Sequence, residues 1–105
     1  MLLELTDQNF NSLVLDDSKI AVIDFWAQWC GPCKTVSASI DALANEYEGQ
    51  VLIGKVDVDT NPNLTLKYGV RNMPTILYMK DGIVLDKQVG STSKMILEEK
   101  LKAIL

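Results

Sequence analysis

Histidine is missing from the sequence, and its only two cysteines, Cys30 and Cys33, lie three residues apart. Without histidine the chain lacks the most common metal ligand. Covalent haem attachment would need a histidine directly after the second cysteine, and Lys34 stands there. A structural zinc ion needs four ligands, usually cysteine or histidine. A zinc site would therefore need carboxylates or a second chain to complete it, and the composition disfavours this alternative.

Long apolar runs and an excess of positive charge are missing as well. No stretch of about 20 apolar residues could span a membrane, and residues 1–5 lack the basic and apolar regions of a secretory signal. The net charge of −4 argues against nucleic-acid binding, which normally uses a basic surface. We expect a cytoplasmic monomer that binds neither nucleic acid nor membranes.

The residues that are present suffice for one domain. Hydrophobic residues make up 48% of the 105 positions, which allows a core without metals or cross-links. No repeat, low-complexity tract or linker-like segment divides the chain. We therefore expect a single domain over residues 1–105.

Hydrophobic patterns predict strands and helices in alternation. An Asn61-Pro62 pair predicts the start of a short helix, and Asp81-Gly82 between two apolar runs predicts a hairpin. Strand–helix–strand units favour parallel pairing. The predicted fold class is α/β: a central mixed sheet of about five strands, flanked on both faces by about four helices. Strands are expected at 2–5, 19–26, 51–58, 74–80 and 83–89, and helices after Thr6-Asp7, at 32–47, at 62–68 and after 90–93.

The two cysteines fall where the strand at 19–26 passes into a helix. Pro32 suits the first helical turn, so Cys30 is expected at the helix N-terminus, where free N–H groups and the helix dipole favour a thiolate. Cys33 is in line with the apolar positions of the helix and is expected to face inward, which disfavours its ionised form. This difference predicts that Cys30 attacks a disulfide and that Cys33 resolves the mixed disulfide.

A purely structural cross-link is the other interpretation of this pair. A disulfide closing a loop of about four residues stabilises by only roughly 2 kcal/mol in the chain-entropy model, and a stabilising cross-link would join distant segments. The spacing therefore favours a redox-active pair.

Asp24 is a carboxylate in a strand that is apolar on both sides. A buried carboxylate is costly, and burial should raise its pKa and make it a candidate proton acceptor for Cys33, directly or through water. The alternative is a buried aspartate satisfied by hydrogen bonds or an ion pair, with Lys55 as the expected cation.

The motif Trp29-Cys30-Gly31-Pro32-Cys33-Lys34, between strand and helix in this element order, resembles the thioredoxin family. The resemblance covers essentially the whole chain. It extends to Asp24-Phe25-Trp26-Ala27, Val56-Asp57-Val58-Asp59, Tyr68-Gly69-Val70-Arg71, Pro74-Thr75, Asp81-Gly82 and Val89-Gly90.

The resemblance implies a thioredoxin fold and a protein-disulfide reductase that cycles through a Cys30–Cys33 disulfide. It implies that Asp24 assists proton transfer beside Lys55, and that Pro74 is a cis-proline packed against the disulfide. Expected partners are disulfide-containing client proteins and an NADPH-dependent flavoprotein reductase, with no cofactor in this chain. The implied client-binding surface comprises Trp29, Gly31, Pro32, Met73, Pro74, Val89 and Gly90.

Two positions depart from the family pattern. Ala38 replaces the proline that usually kinks the long helix, and Asn72-Met73 replaces the usual pair before the cis-proline. Two other functions remain open: a binding subunit of a larger complex whose redox chemistry is idle, and an oxidase or isomerase. The Gly-Pro dipeptide between the cysteines favours a reducing role by family analogy.

Overall fold

A computed structural model describes residues 2–16 and 20–105. The strands are β1 (Leu2–Glu4), β2 (Ile20–Trp26), β3 (Leu52–Asp57), β4 (Thr75–Lys80) and β5 (Ile83–Val89). The helices are a π-helix (Asn11–Asp16), α1 (Gly31–Glu46), α2 (Pro62–Lys67) and α3 (Lys94–Ile104). The predicted elements are confirmed within one or two residues, except that the first helix, predicted directly after Thr6-Asp7, begins only at Asn11. Lys19, the predicted first residue of the second strand, lies outside the described residues.

The five strands form one mixed sheet in the order β1-β3-β2-β4-β5. Strand β3 pairs in parallel with β1 and β2, whereas β4 is antiparallel to both β2 and β5. The parallel prediction is therefore wrong for the unit β3–α2–β4. Helix α2 has six residues and rises only about 9 Å, whereas a six-residue strand spans about 20 Å. The chain re-enters the sheet at the edge where β3 ended.

The central strand β2 is buried on both faces, as its sequence predicts. On one face Val22 packs with Val36 and Ile40 of α1. On the other face Ile23 packs with Val14 of the π-helix and with a leucine of α2. The helices therefore cover both faces of the sheet, and β2 with its carboxyl end is held from both sides.

Helix capping departs from the sequence prediction in one respect. Asn61 occupies the N-cap position of α2, but its side chain does not cap the helix. Instead the carboxylate of Asp7 accepts hydrogen bonds from the N–H groups of Asn63 and Leu64, at 3.2 and 2.9 Å. Asp7 therefore caps α2 and not the helical segment that follows it. No local pattern could reveal a cap supplied from more than 50 residues away.

The hairpin between β4 and β5 is confirmed. Asp81 and Gly82 both have positive φ, 51° and 78°, which is the geometry of a tight type I′ turn. Helix α1 runs without interruption through Ala38. None of the helices in the described part of the chain is long and apolar enough to cross a membrane.

The reversal at β4 brings four strand ends to one edge of the sheet. The carboxyl ends of β2 and β3 lie there, because the two strands are parallel and Trp26 pairs with Asp57. The amino end of β4 and the carboxyl end of β5 meet them, since Thr75 lies beside Phe25 and Val89. The segments that follow or precede these ends form the candidate site.

Candidate active site

Cys30 and Cys33 form a disulfide bond, with their Cα atoms 5.4 Å apart. Cys30 is the N-cap residue of α1, and its sulfur accepts a hydrogen bond from the N–H of Cys33 at 3.2 Å. The predicted position of Cys30 at the helix N-terminus is confirmed. A backbone donor and the positive end of the helix dipole therefore act on the same sulfur, and both favour negative charge there.

The disulfide lies in a small apolar cluster. Cys30, Cys33 and Ala27 are buried together, and Trp26, Val58 and Met73 pack against them. Cys33 is 2% exposed, as expected for an inward-facing residue, and Cys30 is 5% exposed. The two residues differ little in exposure, so their difference in environment comes from the helix terminus and its donor.

Trp29 projects from the loop before the disulfide. Its side chain is 68% exposed, and its indole Nε1 donates a hydrogen bond to Asp59 Oδ2 at 3.1 Å. Asp59 lies two residues beyond β3. This contact anchors an exposed apolar ring beside Cys30, and the sequence analysis assigned Asp59 no role.

The loop before β4 lies against the disulfide cluster from another side. The Met73–Pro74 peptide bond is cis, and Met73 packs against the buried cysteines. The Pro74 carbonyl accepts a hydrogen bond from the N–H of Gly90 at 2.8 Å. Val89 is 45% exposed, and Gly31 and Pro32 are also exposed. The residues of the predicted client surface therefore meet at the edge of the sheet that carries the disulfide.

Asp24 is fully buried, and neither of its carboxylate oxygens has a hydrogen-bond partner among residues 2–16 and 20–105. It shares a face of β2 with Val22, which packs against α1. Burial raises the pKa of Asp24 to about 7; Lys55 opposes this shift and the charge of Asp41 adds to it. Asp24 therefore changes its charge near neutral pH.

Lys55 is the neighbour of Asp24 across the parallel β2–β3 pair, but its ammonium is bonded elsewhere. Its Nζ donates to Ser37 Oγ and lies 3.5 Å from Asp41 Oδ1. Lys55 therefore acts on Asp24 through its charge and makes no hydrogen bond with it. One interpretation of Asp24 was a buried aspartate whose oxygens are satisfied by hydrogen bonds. That interpretation does not fit these contacts.

A cleft of about 270 Å³ leads to this group of residues. Cys33, Ser37 and Lys55 line it together with Trp26. The cleft extends to Cys33, which is nearly fully buried, and to Lys55, which is partly exposed. Asp24 does not line the cleft, but it neighbours Lys55 in the sheet.

Ser37 and Asp41 were not predicted as site residues, although their spacing in the sequence indicates that they share a helix face with Cys33. Cys33, Ser37 and Asp41 are spaced by four residues along α1, and such positions share one face of a helix. Ser37 and Asp41 therefore lie on the same face of α1 as Cys33, and from this face they contact Lys55. For Asp59 there was no comparable local signal, because it contacts Trp29 across 30 residues of sequence.

Opposite shifts in the pKa of Asp24 are expected from two substitutions around it. Lys55→Met removes a charge that lowers this pKa and should raise it above about 7. Asp41→Asn removes a charge that raises it and should lower it. The pH dependence of the carboxyl infrared band, measured for each variant, checks both directions. Shifts of the same sign in the two variants would contradict this electrostatic description.

This geometry defines the class of protein. A bonded cysteine pair at the start of a helix, at the edge of a mixed α/β sheet, marks the chain as a thiol–disulfide oxidoreductase. Comparison with known proteins then places it more closely, since the thioredoxin family model matches residues 1–103.

Three curated relatives illustrate the similarity. Thioredoxin 2 of Chlorobaculum tepidum is 47% identical over 93% of this chain and 90% of its own length. Thioredoxin of Chlorobaculum thiosulfatiphilum is 45% identical over 93% of this chain and 91% of its own length. Thioredoxin of Buchnera aphidicola is 41% identical over 93% of this chain and 91% of its own length.

The chain belongs to the thioredoxin family. Its function is that of a protein-disulfide reductase, carried by the Cys30–Cys33 pair. The alternative of a binding subunit with idle redox chemistry is not favoured. Disulfide-bonded client proteins and a thioredoxin reductase are the usual partners of this family.

Proposed function

We propose that the reduced chain transfers two electrons to a client disulfide in two exchange steps. The Cys30 thiolate attacks one client sulfur, a Cys30–client bond forms, and the other client sulfur leaves as a thiolate. Cys33 then loses its proton and attacks the Cys30 sulfur. The Cys30–Cys33 bond forms, and the client leaves with both of its sulfurs reduced. The observation that carries this assignment is the bond between Cys30, at the helix N-terminus, and the inward-facing Cys33.

Asp24 is proposed to accept the proton that Cys33 loses in the second step. Its pKa of about 7 suits a proton acceptor near neutral pH. The cleft at Cys33 and Lys55 has room for a water beside Cys33, and Asp24 neighbours Lys55 in the sheet. Lys55, held by Ser37 and Asp41, would stabilise the charged form of Asp24 from the neighbouring strand.

The client is proposed to bind as an extended segment across the edge of the sheet that carries the disulfide. Trp29, Gly31, Pro32, Val89 and Gly90 would supply the contact surface. Backbone pairing at Met73, beside the cis-proline Pro74, would be a form of strand addition. We also propose that residues 1–105 act as one monomeric domain in the cytoplasm, where an NADPH-dependent flavoprotein thioredoxin reductase would restore the dithiol.

Insulin reduction driven by dithiothreitol tests this function. The wild-type chain should accelerate the precipitation of reduced insulin, and a Cys30→Ser variant should not exceed the dithiothreitol background. A chain that acted only as a binding subunit would be inactive in this assay. The reduction potential of the Cys30/Cys33 couple provides the second test. A potential well above the cytosolic glutathione poise would instead support an oxidase or isomerase.

A further inference from the structure

A second groove, of about 340 Å³, opens beside the proposed client surface. Val89 lines it and belongs to both surfaces, and Asn72 lines it next to Met73. Two cations, Arg71 and Lys87, also line the groove. An extended segment that crosses Met73 and Val89 would therefore bring its side chains to this pair of positive charges.

The strand geometry keeps the side chain of Lys87 separate from that of Asp86, its acidic neighbour in the sequence. Successive residues of a strand point to opposite faces: Lys87 lies opposite Leu77, which belongs to the π-helix and α2 side of the core, and Asp86 lies opposite Tyr78 on the other side. The carboxylate of Asp86 lies 3.7 Å from the Lys100 ammonium and accepts a hydrogen bond from the backbone N–H of Lys87.

Both cationic side chains are available to a ligand. Arg71 and Lys87 are exposed, and within residues 2–16 and 20–105 no carboxylate forms a salt bridge with either of them. By contrast Lys55, Lys94, Lys100 and Lys102 all have carboxylate partners. Two cations that have no carboxylate partner in the described part of the chain lie in one groove of a protein with net charge −4, and they form a local site that is complementary to negative charge.

We propose that this groove selects clients by binding an acidic side chain. That side chain belongs to the part of the client segment that lies on the Val89 side of the client's reacting disulfide. The inference rests on the proposed client-binding mode. The planar guanidinium of Arg71 can bind a carboxylate through two parallel hydrogen bonds, and Lys87 supplies a second charge. The net charge of −4 repels a negatively charged client, so the benefit of an acidic residue depends on its position in the client.

A series of disulfide-linked peptides tests this proposal. Each peptide carries one glutamate, moved one position at a time along the residues that flank the reacting cysteine, and a glutamine version serves as reference. At one position the wild-type chain should reduce the glutamate peptide with a kcat/KM about two- to fivefold higher than the glutamine peptide, the range for an exposed ion pair. The preference should fall as the salt concentration rises.

The double variant Arg71→Gln/Lys87→Gln should lose this positional preference and reduce the glutamine peptide at the wild-type rate. The matched control, Lys94→Gln/Lys102→Gln, removes the same charge from α3 and should retain the preference. A wild-type profile without a preferred position, or a preference that persists in the Arg71/Lys87 variant, would overturn the proposal. Reduction of the glutamine peptide by the wild-type chain would still support the proposed reductase function in either case.

Discussion

Cys33→Ser is expected to stop multiple turnover and to leave the chain covalently bound to its client through Cys30. The variant keeps the sulfur at the helix N-terminus but lacks the thiol that attacks the mixed disulfide. A well-oriented intramolecular group acts at an effective concentration of about 10⁵ M or more, which no added thiol can match. Reduction of a client disulfide should therefore fall by on the order of a thousandfold or more, and mass spectrometry should detect the adduct.

The matched control is Cys30→Ser, which keeps the inner thiol and removes the outer one. This variant should be equally inactive, but it should form little adduct, because the Cys33 sulfur lacks the helix-terminal N–H donor that acts on the Cys30 sulfur. A Cys33→Ser variant as active as the wild type would refute the two-cysteine mechanism. Adduct formation mainly at Cys33 in the wild-type chain would reverse the assignment of the two roles.

Asp24→Asn is expected to stabilise the oxidised chain at neutral and alkaline pH. The pKa of Asp24 is about 7 in the folded chain and 3.8 in a solvated reference, so the folded state holds its proton more tightly than the unfolded state. Stability therefore falls as pH rises from 3.8 towards 7, by about 1.36 kcal/mol per pH unit. The loss is absent below 3.8 and complete above about 7, where it amounts to about 4 kcal/mol.

Denaturant unfolding of the two oxidised proteins at a series of pH values measures this difference. The wild type and the asparagine variant should have similar free energies of unfolding near pH 4, and the variant should become more stable as pH rises. The matched control is Asp59→Asn, whose carboxylate is exposed and bonded to Trp29; it should show no such divergence. Parallel stability curves for wild type and Asp24→Asn would contradict a raised pKa.

The same variant also tests the proton-transfer role. Asparagine cannot accept a proton, so the disulfide-exchange rate of Asp24→Asn should be lower near neutral pH and should lose its inflection near pH 7. Rates that equal those of the wild type between about pH 6 and pH 9 would exclude this role for Asp24. The stability result would then stand on its own as a property of a buried carboxylate.

Local patterns were sufficient to predict much of this molecule. The apolar run through β2, the Asp81-Gly82 turn and the Pro32 helix start each depend on neighbouring residues. The inward position of Cys33 followed from the same helical periodicity. These features could be predicted because backbone geometry and side-chain periodicity act over only a few residues.

Contacts between distant segments could not be predicted in this way. The cap of α2 comes from Asp7 in place of the adjacent Asn61, and Lys55 bonds to Ser37 and Asp41 on α1. The direction of β4 depends on the length of α2 relative to the length of a strand. The alternation of strands and helices along the sequence does not encode this relation. Sequence predicted the identity of the reactive groups better than the electrostatic surroundings that tune them.

The antiparallel course of β4 also gives the molecule a remote point of attachment. Strand β4 begins at the edge that carries the disulfide and ends at Lys80, so the Asp81-Gly82 turn lies at the opposite end of the sheet. Six residues of strand span about 20 Å. A linker to an electrode or a chromatographic support, attached at this turn, would leave the dithiol facing the solution.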